Sequence, residues 1–157
     1  MTEYLSPVPF PADDAASPGV HRGIYGMPMF ARIPVQNLDA SAAFWTGALG
    51  FVELFAVPGR LIHLRRWAFQ DVLLVPAGPR PEPPAPVTSA LMLSFACVPS
   101  ELPQLAEDCE RILPGSADGP HARPWNSTEL EVITPDGTHV VMTAARPLDP
   151  SAGMPAL

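Results

Sequence analysis

The sequence predicts an α+β domain made of two βαβββ modules. Two observations carry that prediction. The 22 prolines cluster in the first 28 residues, across 76–86 and after Arg146, which divides the chain into two segments. Each segment then opens on a strand pattern, passes through a helical one and returns to short strands. A chain of 157 residues can hold one domain with a sizeable core, or two small modules sharing one. The predicted boundaries are a proline-rich arm over 1–26, a first module over 27–77, a proline-rich extended linker over 78–88, a second module over 89–146, and a tail over 147–157. Residues 27–146 are expected to form one compact unit.

In the first module, Met29, Ala31, Ile33 and Val35 alternate with Phe30, Arg32 and Pro34, the period of a half-buried strand. A helix follows. Asn37 or Asp39 can cap it, Leu38, Ala42, Trp45 and Leu49 recur at helical spacing, and Gly50 stops it. Strands are predicted over Val52 to Ala56, Leu61 to Trp67 and Asp71 to Val75, separated by Pro58-Gly59 and by Ala68-Phe69-Gln70. The second module repeats the order, with a strand from Ala90 to Cys97 and a helix from about Ser100, its expected N-cap, to Leu113. A hairpin then joins Glu129–Ile133 to His139–Thr143 through Pro135-Asp136-Gly137, where Asp-Gly suits positive backbone angles. The strand needed between the second helix and Trp125 has no clear pattern.

Composition excludes several function classes. The net charge is −7 and there is no lysine, so the basic groups are scattered arginines and nucleic-acid binding through a basic stripe is not expected. The longest apolar run, Ala90 to Val98, is about half the length of a membrane helix, and the N-terminus does not read as a signal peptide, so no membrane association and a cytoplasmic location are expected. Cys97 and Cys109 lack metal-type spacing and read as two buried free thiols. An apolar content of 47% with a mean hydropathy of +0.15 is high for a soluble chain and suggests a buried partner surface.

The string Phe44-Trp45-Thr46-Gly47-Ala48-Leu49-Gly50-Phe51, with Pro124-Trp125 and Pro135-Asp136-Gly137, resembles the glyoxalase, bleomycin-resistance and extradiol-dioxygenase (vicinal oxygen chelate) superfamily. The bleomycin-resistance branch is the nearest match. Asn126 and Thr134 depart from its usual glycine and aspartate. The resemblance spans about Met27 to Ala145 and implies a curved, mostly antiparallel eight-stranded sheet forming a cup, with the helices on its outer face. It also implies that the family's metal-ligand positions fall on or near Phe30, Leu73, Leu91 to Leu93 and Val141, none of which ligates a metal. No metal and no cofactor are therefore expected.

Strand parity on that scaffold sends Met29, Ala31, Ile33, Ile62 and Leu64 toward the helix, and Phe30, Arg32, His63, Arg65 and Trp67 into the cup. In the last hairpin it leaves Glu129, Glu131, His139, Val141 and Thr143 for the cup. Phe95 and Trp125 are added as aromatic lining. Arg32 and Arg65 can hold a carboxylate in a forked pair of hydrogen bonds, or pair with Glu129 or Glu131 across the cup. The expected function is binding: an aromatic cup without reactive groups, in a homodimer, sequestering a planar or cationic antibiotic-like molecule. The alternative is a metal-independent isomerase, cyclase or tailoring enzyme, which would pair His63 with Glu131 or Glu129 with Arg65.

Overall fold

Asn37 sits in extended backbone and its side chain accepts the Ala40 N–H at 2.9 Å, so it, rather than Asp39, caps the first helix. That helix, α1 (Leu38–Ala48), lies between β1 (Ala31–Val35) and a meander of β2 (Val52–Val57), β3 (Leu61–Arg65) and β4 (Asp71–Pro76). The second module contains β5 (Met92–Ala96), a single 3-10 turn (Pro99–Glu101), α2 (Leu102–Ile112), β6 (Ala117–Arg123), β7 (Ser127–Ile133) and β8 (His139–Ala145). The computed structural model describes residues 14, 16–23, 25–27, 29–79 and 91–146. Most of the predicted linker and the whole predicted tail lie outside them.

Each module folds its four strands in the same order, β1-β4-β3-β2 and β5-β8-β7-β6. In each, the first strand pairs parallel with the last, and the remaining pairings are antiparallel. A parallel return needs a crossover, and the intervening helix supplies it. Among the described residues no backbone ladder joins the two sheets, so the expected eight-stranded sheet is two four-stranded sheets.

One face of both sheets packs on the helices. Ile33 and Val35, Ile62 and Leu64, Val72 and Leu74 alternate into this core, as do Leu130 and Val132, Val140 and Met142. They meet Phe44, Trp45 and Ala48 of α1 and Leu102, Leu105 and Cys109 of α2. The joint between the modules is made side chain on side chain and side chain on backbone. Trp45, Phe51 and Phe95 meet edge to face at 5.0 to 6.1 Å, and the Arg66 guanidinium and Gln70 amide both donate to the Ala96 carbonyl at 2.8 Å. Arg66 also pairs with Glu101 at 2.7 Å. Gly47 lets α2 approach: a Cβ there would stand 2.8 Å from Ile112 Cδ1.

Three expectations are corrected. Met29 does not face the helix; it is 83% exposed, beyond the first ladder pair of β1. Ser100 does not cap α2; it lies in the 3-10 turn, where the Glu101 carboxylate accepts the Val98 N–H at 2.9 Å. The unplaced strand is β6, which contains Gly119 and Pro120. It is an edge strand with a register shift between Asp118 and His121, and a proline at an edge bulge leaves no ladder bond unmade. No described helix is long and apolar enough to cross a membrane.

Candidate functional site

The faces turned away from the helices form two half-cups, one per module, with a groove between the edge strands β1 and β5. Their contents differ. In the first half-cup, the β3–β4 register sets Arg65 opposite Asp71 and His63 opposite Leu73. Asp71 Oδ1 accepts from Arg65 Nε and lies 2.7 Å from His63 Nε2, and Tyr25 Oη donates to Oδ2 at 2.7 Å. All of Asp71's near neighbours are donors, so Nε2 carries the His63 proton. Arg65 is 2% exposed; its Nη1 donates to the carbonyls of His21 and Gly23, and its guanidinium lies 4.1 Å from the Tyr25 ring centre. Burial, foremost, pushes the Tyr25 phenol above its ordinary pKa of 10.0, so it stays a donor.

The described part of the N-terminal arm is thus folded over its own module. Residues 17–23 and 25–27 contribute Ser17, which accepts from Trp67 Nε1 at 3.0 Å, the two carbonyls on Arg65, and the Tyr25 ring, which also packs on Phe69.

The second half-cup is more open. Trp125 follows β6 and is 66% exposed, yet its Nε1–H is fixed to Glu129 Oε1 at 2.8 Å. Ser127 donates to the same oxygen at 2.8 Å, and Arg123 donates to Glu129 Oε2 and pairs with Glu131. Glu131 also meets His139 Nε2 at 3.1 Å. Burial acts to raise the Glu129 pKa, but the bonds from Trp125, Ser127 and Arg123, with the Arg123 charge, outweigh it and hold the carboxyl below its ordinary 4.5. Val141 lies between Ser94 and Glu131 in the ladders and is buried.

Phe30, 41% exposed, and the exposed Arg32 line the groove between β1 and β5, a cavity of about 520 Å³ shared with Leu91, Met92 and Ser94. Phe95 lines that groove too, with its ring packed on Trp45 and Phe51. One predicted site residue lies elsewhere. The β3 strand ends at Arg65, and the turn closed by the Arg66–Gln70 and Gln70–Trp67 backbone bonds carries Trp67 out of strand parity. Trp67 is 4% exposed and lines a cavity on the helix side with Ser17, Gly47 and Leu105.

The predicted pairings also change. Arg65 and His63 both engage Asp71, while Glu129 and Glu131 both engage Arg123. His63 is not brought to Glu131, nor Arg65 to Glu129. Sequence reasoning passed over Asp71, Tyr25 and Arg123. Asp71 was not findable from the predicted turn at 68–70, which would set it opposite Trp67; the observed turn over Arg66–Gln70 sets it opposite Arg65. Arg123 was hidden in the strand interrupted by Gly119-Pro120.

A divalent ion does not fit the cup. In register, β1 and β4 offer Arg32 beside Leu73, and β5 and β8 offer Ser94 beside Val141, whereas such ions require several imidazole or carboxylate groups converging at about 2.0 to 2.2 Å. Among the described residues, no three His, Cys, Asp or Glu side chains come together. Nor does a thiol serve: burial pushes the free Cys97 and Cys109 up to about 12.

No protein-family model matches the sequence, and no curated protein matches it. Solved structures do match in fold. A glyoxalase/dioxygenase from Nostoc punctiforme has a TM-score of 0.63 at 19% identity, covering 85% of this chain and 100% of that one. A bleomycin-binding protein, solved with bleomycin, has 0.57 at 19%, covering 75% and 98%. The fosfomycin resistance protein FosX from Mesorhizobium loti has 0.58 at 14%, covering 78% and 94%. The chain therefore has the fold of the vicinal oxygen chelate superfamily. Within that superfamily the fold is shared by bleomycin-binding proteins and by enzymes alike, so it does not by itself choose a function.

Proposed function

We propose that the protein binds and sequesters a planar, aromatic small molecule without altering it, in the manner of a drug-resistance protein. One observation carries this reading: Trp125 presents an exposed indole whose orientation is fixed through Glu129. A pinned, solvent-facing ring is a preorganised stacking surface, worth about 0.5–1.5 kcal/mol per ring pair beyond area burial. The carboxylates beside it are occupied by donors, so they hold the site's shape and charge rather than act as a free base. One arginine faces two glutamates there, His139 adds charge only when protonated, and the whole chain carries −7. That balance favours a cationic ligand.

The reading includes a homodimer acting in the cytoplasm. Met29, Phe30, Leu91 and Met92 are all exposed along the β1 and β5 edges, and a second copy set against those edges would bury them and deepen the groove. A metal-independent enzyme remains the second reading. It is favoured by the His63–Asp71 pair, in which a carboxylate orients an imidazole as it would a general base.

The test is thermal unfolding of metal-stripped protein with bleomycin, with doxorubicin as a planar polycyclic cation, and with Zn²⁺ or Ni²⁺. Binding to the folded state raises the midpoint through RT ln(1 + [L]/Kd). A shift with either drug, lost in Trp125→Ala, supports sequestration. A shift with metal alone overturns it.

A further inference from the structure

The first half-cup is covered but not filled. Beneath the arm remains a cavity of about 600 Å³, within the range of small-molecule sites. Its walls are mostly apolar, from Met27 just past the arm, Leu54 and Phe55 of β2, Leu61 of β3 and Leu73 of β4. Four polar side chains break that lining, and two of them, Tyr25 and Arg65, are committed to Asp71. Arg22, exposed on the arm, makes no salt bridge with a described residue. His63, buried against the Phe55 ring edge at 5.3 Å, has its Nε2–H committed to Asp71. In the neutral ring, Nδ1 is then an acceptor, and it makes no hydrogen bond to another described residue. Asp71, behind the wall, is consumed by His63, Arg65 and Tyr25, so among the described residues the unmatched charge at this site is Arg22's.

We infer that this arm-roofed cavity is a second binding site, for a hydroxylated aromatic carboxylate. Each part of the ligand answers one wall. The carboxylate takes the guanidinium of Arg22, which pairs with no described acid, in a forked pair, the ring takes Phe55 and the surrounding leucines, and the hydroxyl donates to His63 Nδ1. The preferred ligand charge is opposite to that of the Trp125 site, so the two half-cups take different molecules. The described part of the arm makes the site: three of its residues, Arg22, Gly23 and Tyr25, line the cavity, and Arg65 and Asp71 hold this stretch in place.

Calorimetric titration of the full chain with 4-hydroxyphenylacetate tests this, with phenylacetate and tyramine as comparisons. The inference expects saturable one-to-one binding of the first, about 5- to 10-fold weaker binding of phenylacetate, which lacks the hydroxyl, and none of tyramine, whose charge is reversed. Arg22→Gln is expected to weaken the hydroxy acid about 10-fold. Arg22 is exposed, so the variant folds. The His63 ring proton resonances, assigned with His63→Gln, should shift on titration. Trp125→Ala should leave this binding unchanged, which separates the inference from the sequestration reading. No binding at millimolar concentration, equal affinity in Arg22→Gln, or loss in Trp125→Ala would each overturn it.

Discussion

Replacing Asp71 with asparagine keeps the side chain's size and removes the only counter-charge described for Arg65, which is 2% exposed. Breaking a buried ion pair by neutralising one partner costs about 3–5 kcal/mol, because the other charge stays desolvated. Two features set the expectation at the lower end, about 3 kcal/mol. The asparagine carbonyl can still accept from Arg65 Nε, and the carbonyls of His21 and Gly23 continue to take Nη1. At roughly 2–4 °C per kcal/mol for a chain of this size, the midpoint should fall by about 6–12 °C. Urea unfolding followed by tryptophan fluorescence is the assay, since Trp67 is bonded to Ser17 of the arm and reports its release. Tyr25→Phe removes one hydrogen bond to the same carboxylate and should cost about 1.5–3 kcal/mol. The double variant Arg65→Met with Asp71→Leu should be more stable than Asp71→Asn, because it leaves no charge uncompensated. The reasoning fails if Asp71→Asn costs less than about 1 kcal/mol or if the double variant is the less stable of the two.

Glu129, with its carboxyl below 4.5 in the folded state, contributes stability that is present above that value and lost as pH falls through the lowered one; Glu129→Gln should flatten the acid limb of stability measured by urea midpoints between pH 5 and 2. Trp125→Ala should cost no more than about 1.5 kcal/mol of stability, since the indole is exposed and loses one hydrogen bond, while weakening a stacked drug by about 10-fold or more in a fluorescence titration. Gly119→Ala should destabilise by about 1–3 kcal/mol in chemical denaturation: φ is +115° and the new Cβ would stand 2.8 Å from the Glu129 carbonyl oxygen.

Regular elements were legible where a single periodicity governed them. β1 alternates cleanly into the core at Ile33 and Val35, and α1 runs from a capping asparagine to a glycine at positive φ. Legibility ended where local geometry replaced periodicity. Trp67 has the parity of His63 and Arg65, but the turn at Arg66–Gln70, with Phe69 at φ 66°, swings it to the opposite side of the sheet. No parity was legible for the strand carrying Ser94 and Phe95; the Phe95 ring is placed by its packing on Trp45 and Phe51 from the other module. Polar partners were the least legible part. Composition supplies the arginines and glutamates, but the choice of Asp71 for Arg65 follows from ladder register, and Arg123, opposite Ser127 in the ladder, reaches both glutamates only by running diagonally along β7. The fold over the first half-cup by residues 17–23 and 25–27 had no signal in spacing at all.

The joint between the modules has a consequence for cooperativity. Every ladder closes within one module, while the contacts that cross are side chain on side chain or side chain on backbone, among them the Trp45, Phe51 and Phe95 rings, Arg66, Gln70 and Glu101, the Gln36 N–H on Asp136, and the packing of α1 on α2. The molecule is in effect a dimer tethered by its own backbone. Native-state hydrogen exchange should resolve it into two protected units, one per sheet, and the Arg66 head group on the Ala96 carbonyl sets how closely their opening energies agree.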